Sequence, residues 1–259
     1  MAGHDFYVTL PSDSSLRYYS DNSPASFKTK LHKTIHLEGQ WEVGLAEITL
    51  THSFYNVVKG HNEIHIAEDV PMEDGVKIRI MEGYYKDGDA LIGEVMKAIR
   101  KNSKFSNLEN IMLKIRPFSR RCRVELGDNS GISFPRDIAN ILGFKDKKIA
   151  LSENAEGRQP IDVNRGMHVF YLYTDIIQTL PVGHDSVQLL RTIDIPHANV
   201  GEVITRTYTT PHYVALRSND IDEIEININK GSGDSVYFNG GLSLVKLHFR
   251  RRSPLSIPY

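Results

Sequence analysis

The stretch "QWEVGLAEITL", residues 40–50, carries apolar side chains whose parity changes midway. Trp41, Val43 and Leu45 share one face of an extended chain, while Ile48 and Leu50 fall on the other. A switch of this kind within one strand means either a bulge or burial on both faces. On the N-terminal side lie "FYVTLP" and "ASFKTKLHKTIHL", separated by the turn-rich "SDNSP"; on the C-terminal side lies "EIHIAE". Together they make four candidate strands before residue 70, spaced as in an all-β sandwich.

Residues 76–165 read differently. "VKIRIMEGYY" is a strand, and "ALIGEVMKAIRKN" places Leu91, Ile92, Val95, Met96 and Ile99 at helical spacing, with Asp89 as the expected N-cap. "NIMLKIRP" and "RCRVEL" are strands. In "ISFPRDIANILGF", Pro135 suits the first helical position, Ile138, Ile141 and Leu142 form a stripe, and Gly143 suits the stop. The polar "SENAEGRQPIDVNRG" reads as an exit linker. Strands then resume. "MHVFYLYTDII" is nearly continuously apolar, as a strand covered on both faces would be. "SVQLLRTIDIP" and "EVITRTYTT" follow, and "IDEIEININ" turns Ile224, Ile226 and Ile228 inward. The run closes with "SLVKLHFRRR", residues 243–252.

Eight strands in two packed sheets is the jelly-roll count. The expected fold is therefore all-β, a single jelly-roll β-sandwich with an inserted small α+β subdomain. Residues 1–75 and 166–252 supply its two halves, 76–165 the insertion and 253–259 a tail. Two side-by-side β domains are the alternative, because periodicity does not choose strand order.

The chain has 259 residues, 31 Lys and Arg against 32 Asp and Glu, and a net charge of -1, which argues against a dedicated nucleic-acid binder. Its one cysteine, Cys122, excludes an internal disulfide and multi-cysteine zinc sites. By parity Cys122 joins Val124 and Leu126 as a core residue, although Arg121 and Arg123 flank it. No stretch approaches the roughly 20 apolar residues of a membrane helix, and no signal peptide is read at the N-terminus, so a soluble protein is expected.

Catalytic patterns are weak. His32/His36 and His61/His65 lie four apart in strand-like runs, about 13 Å, too far for one ion. His61 and Glu63 share a strand face and, with a distant His197, His212 or His248, would make the facial triad of a jelly-roll iron oxygenase. A ligand- or receptor-binding β-sandwich is a further alternative. No phosphate loop, dinucleotide fingerprint or nucleophile elbow is present. The expectation is no enzyme, no metal and no cofactor. Basic clusters at 119–123 and 250–252 and acidic ones in "NDIDEIE" and "AEDVPMED" suit either protein–protein contact or a solvated surface. In the tail "SPLSIPY", two prolines prevent regular structure, and Leu255, Ile257 and Tyr259 call for an apolar partner.

"FYVTLPSDSSLRYYSDNSPASFKTKL", "WEVGLAEITL", "YLYTDIIQTLPVGHDSVQLLRTIDIP", "YVALRSNDIDEIEI" and "VKLHFRR" together, in this order, resemble the minor capsid (penton) proteins of Polinton/Maverick elements and related adintovirus-like viruses. The resemblance implies a non-enzymatic single jelly roll that forms pentamers at the fivefold vertices of an icosahedral shell. Hexameric capsomers of a double-jelly-roll major capsid protein would surround it, in a virion assembled inside the host cell. On this reading Arg250, Arg251 and Arg252, with Leu255, Ile257 and Tyr259, are the candidates for contact with an adjacent capsid subunit. Weak contact with packaged DNA comes second, and no membrane is engaged.

Overall fold

The computed structural model describes residues 5–68, 71, 74–101, 111–144, 149–151 and 153–252. The chain forms two compact units. One takes the chain up to Phe54 and again from Gly166; the other is Tyr55–Arg165.

The first unit opens with strands β1 (Phe6–Pro11), β2 (Ser26–His36) and β3 (Trp41–Thr51). The parity switch in β3 is a bulge. Its neighbour pairs Lys246 with Glu47 but Leu247 with Leu45, which leaves Ala46 without a counterpart. The extra residue returns Ile48 and Leu50 to the face used by Trp41, Val43 and Leu45, and all five are buried.

The second unit contains β4 (Glu63–Glu68), β5 (Val76–Arg79), helix α1 (Gly88–Lys101), β6 (Ile111–Ile115) and β7 (Arg121–Leu126). It continues with β8 (Ser130–Phe134), helix α2 (Arg136–Ile141), β9 (Ile149–Leu151) and β10 (Ala155–Pro160). Antiparallel sheets run β5-β4-β8-β9 and β10-β7-β6. The five apolar residues of α1 picked out by their spacing are buried in this unit's core. Its N-cap is Asp87 rather than Asp89: the Ala90 N–H donates to Asp87 Oδ1 at 2.8 Å. Pro135 stands one position before helix α2, with an extended backbone. Gly143 does end the helix. At φ +83 its N–H donates to Asn140 O at 3.1 Å and that of Phe144 to Ala139 O at 2.9 Å, a Schellman closure. A Cβ there would meet Gln159 O at 2.1 Å.

Two segments pair differently from their sequence reading. "EIHIAE", counted with the sandwich strands of 1–75, is β4 and pairs with β5 and β8. The polar stretch expected to be an exit linker contains β10, which pairs with β7. Only Gly157 of β10 is buried, so the strand has no apolar alternation to betray it.

The first unit resumes with β11 (Val169–Thr174), the hairpin β12 (Leu180–Val182) and β13 (Asp185–Val187), and β14 (Leu189–Asp194). Then come β15 (Val203–Thr207), β16 (Tyr213–Ala215), β17 (Asp220–Asn229) and β18 (Ser243–Arg251). One sheet runs β1-β18-β3-β15, with β16 also on β3; the other runs β14-β11-β17-β2. Because β15 pairs with Glu47–Thr51 and β16 with Glu42–Gly44, the two lie end to end on the same side of β3. Each sheet is thus four strands wide, and the chain alternates between them in the interleaved order of a jelly roll. The insertion falls between β3 and β11. Ile224, Ile226 and Ile228 share a single core with Leu45, Leu247, Phe249 and Phe170. β11 is covered on one face only: Phe170, Leu172 and Thr174 are buried, while Tyr171 and Tyr173 are half-buried, their rings supplying the apolar run.

Candidate assembly surface

The face of the β1-β18-β3-β15/β16 sheet directed away from the core divides into two chemistries. At one end a polar network starts from Glu42, a carboxylate nine-tenths buried beside β16. Arg250 Nε donates to Glu42 Oε1 at 2.6 Å, and the same guanidinium lies 3.5 Å from the Tyr213 ring centroid. Such a cation–π contact is worth roughly 0.5–2 kcal/mol. The Tyr213 hydroxyl is 2.6 Å from His248 Nδ1, and the His248 ring stacks on Tyr7 at 4.5 Å. Burial pushes the Tyr213 hydroxyl up, against the pull of Arg250 in the other direction. Gly44 makes this packing possible. A Cβ on it would lie 2.8 Å from Pro211 Cβ and 2.9 Å from His212 O.

At the other end of the same face, beyond the row of Glu47 and Lys246, the described outward side chains are uncharged. Leu244, Thr49 and Thr205 are in register across three strands, with Thr49 and Thr205 hydroxyls 3.2 Å apart. In the next row Val203 faces Thr51, whose N–H donates to Leu242 O at 3.2 Å. Val203 is 65% exposed and Leu242 51%. An exposed sheet face normally alternates to charged or polar side chains here.

The three arginines of the cluster are engaged differently. Arg250 is held inside the network just described. Arg251 reaches back to donate to Glu38 O at 3.1 Å, and the Arg252 backbone N–H donates to Gln40 O at 2.9 Å. Leu255, Ile257 and Tyr259 lie outside the described residues. Trp41 is a core residue whose Nε1 donates to Glu38 O at 3.0 Å. Tyr18 is exposed, with Arg17 over its ring at 4.6 Å.

The acidic run "NDIDEIE" finds cations on its neighbouring strand. Lys28 pairs with Glu225 at 3.0 Å and Lys30 with Asp222 at 2.7 Å, and Tyr19 donates to Glu223 at 2.6 Å. The bond from Lys30 holds Asp222 below the usual carboxylate range. These exposed pairs fix strand register more than they add stability. "AEDVPMED" lies partly outside the described residues. Of the basic cluster at 119–123, Arg120 reaches Asp89 at 3.3 Å and Arg123 reaches Glu125 at 3.0 Å.

Cys122 is fully buried, and burial pushes its thiol up to about 12, far from a nucleophile's range. His61 faces Asp137 at 2.8 Å and Glu63 faces Arg79 at 2.6 Å. Both belong to the second unit, whereas His197, His212 and His248 belong to the first. Among the described residues, no three His, Cys, Asp or Glu side chains converge to hold a metal ion. Among them, too, no helix is long and apolar enough to cross a membrane.

No protein-family model matches the chain. No curated protein matches it either. Among solved structures, the selenomethionine-labelled mavirus penton protein aligns with 96% of this chain and 99% of its own, at a TM-score of 0.49 and 9% identity.

Proposed function

We propose that this chain is a structural minor capsid protein, a penton base that forms pentamers at the fivefold vertices of an icosahedral shell and has no catalytic role. A double-jelly-roll major capsid protein would surround it in the virion. The observation that carries this reading is where the family-like blocks fall. "FYVTLP" is β1, "SFKTKL" opens β2, "WEVGLAEITL" is β3, and the remaining three blocks cover β11–β14, β16–β17 and β18. Every block lies in the jelly roll and none in the inserted unit, so the resemblance belongs to the part that would build a shell.

A pentamer needs a head-to-tail interface that closes after five copies. The uncharged end of the sheet, with Val203 and Leu242, suits one side of that contact. Arg251, Arg252 and the tail residues Leu255, Ile257 and Tyr259 suit contact with an adjacent subunit, with packaged DNA second. Arg250 is already engaged with Glu42 and Tyr213, so it braces this end from within.

Native mass spectrometry of the purified protein tests the reading, with co-expression of a major capsid protein as its second arm. Five-chain species, or shells containing the protein, are expected. Val203→Asp is expected to abolish them while the monomer's melting temperature stays within about 1 °C, because a surface change of this kind costs little in the fold. A monomer that never enters shells would overturn the proposal.

A further inference from the structure

The second unit contains a cleft of about 800 Å³ whose lining includes Lys59, Lys77, Arg79, Lys97 and Lys101 against two carboxylates, Glu82 and Glu94. This local cationic excess sits in a chain whose net charge is -1. The cations come from three separate segments: the loop before β4, strand β5, and the last turns of α1. Lys77 and Arg79 are two apart on a strand, about 7 Å. Lys97 and Lys101 are four apart on one helix face, about 6 Å. Paired rows at that spacing match a polymer with an anionic group on each repeat, rather than a single small ion. Two of the cations are partly engaged within the unit, Arg79 by Glu63 at 2.6 Å and Lys97 by Glu94 at 3.3 Å. Lys59, Lys77 and Lys101 are the remaining cations of the wall.

We propose that this cleft binds a sulfated polysaccharide. Four of its five cations are lysines, compact point charges suited to sulfate groups that vary in position along a chain. Met81, which is exposed, and the half-buried Ala98 give it an apolar lining for the CH faces of sugar rings, while Ile78 and Ile80 turn inward to the core beneath. No aromatic ring is among the described lining residues. Single-stranded nucleic acid draws roughly 1–3 kcal/mol per base from stacking on such rings, so the composition favours the polysaccharide. The site is independent of the pentamer: it stands or falls on the second unit of the intact chain.

The test is titration calorimetry of the full-length protein with a heparin-derived octasaccharide, at low and at physiological salt. Binding is expected to weaken steeply with salt. The Lys77→Ala/Lys97→Ala/Lys101→Ala variant is expected to lose at least about tenfold in affinity. The single variants Lys77→Ala and Lys101→Ala should each show part of that loss and remain folded by circular dichroism. Lys28→Ala/Lys30→Ala, on β2 in the other unit, is expected to bind unchanged. Absence of binding, or equal loss in the β2 variant, would overturn the site. Tighter binding of a single-stranded oligonucleotide, lost in the same cleft variants, would overturn the ligand class in favour of nucleic acid.

Discussion

His52 follows β3 with only 2% of its surface exposed, its ring 4.2 Å from that of Phe54. Its main chain is clamped on both sides, the N–H donating to Glu202 O and the carbonyl accepting from Gly201, each at 2.8 Å. Burial lowers the imidazole below its ordinary 6.5, partly offset by the backbone at Asn199 and Ala198. Just below pH 6.5 the unfolded chain therefore takes up a proton that the folded chain refuses. The stabilisation is complete above that value and declines as pH falls through it. Melting temperature is expected to drop between pH 7.5 and 5.5, and His52→Asn to flatten that slope even if it lowers stability throughout. Asp222 and Glu63, whose carboxyls are held low by Lys30 and Arg79, contribute only at more acidic pH, outside this window. An unchanged slope in the variant would show that another group titrates. Sequence alone gave His52 no distinction among eleven histidines, because its burial depends on the loop at 198–202.

Individual elements differ in how far their sequence revealed them. β3 was legible, since five large apolar residues with one break in parity leave few arrangements. The register with β18 decides for the bulge at Ala46. β17 was legible from Ile224, Ile226 and Ile228, which alternate, although a register shift between Ile221 and Glu223 is what brings Ile221 into the same core. β10 was not, because its partner contributes the apolar side chains: it lies along β7, whose Cys122 and Val124 fill the core. The N-cap of α1 slipped by two positions because Asp87 and Asp89 are both plausible acceptors, and only hydrogen-bond geometry selects between them. The basic cleft was invisible for a third reason, that its cations converge from segments far apart in the chain. Packing at Gly44 gives the test at this scale. Gly44→Val drives β-carbon atoms into Pro211 and the His212 carbonyl. It is expected to cost about 1–3 kcal/mol in chemical denaturation, as overpacking does. The residue is on the sheet's outer face, so a neutral result would mean that the loop at 208–212 lifts away freely.

At the scale of the molecule, two hydrophobic cores are closed separately, one around Phe27, Phe170 and Phe249 and the other around Phe134, Leu91 and Val124. Scanning calorimetry is expected to give a heat of unfolding larger than the van't Hoff value, the mark of more than one cooperative unit. Ile226→Ala and Leu91→Ala, each a fully buried side chain, should each cost about 2–5 kcal/mol. The first should move only the transition of the jelly roll and the second only that of the inserted unit. If both variants shift a single transition equally, the units unfold as one. The jelly-roll expectation rested on strand count and family-like blocks; the order of the strands rests on pairing between β1, β3 and β18, which no local pattern encodes. That pairing has a consequence for synthesis. β18 is the last of these strands to leave the ribosome, yet it fills the place between the first and the third. The inserted unit can form while translation continues, but one sheet of the jelly roll keeps an open slot until its final strand is made, and nascent chains must be protected from pairing with one another through it.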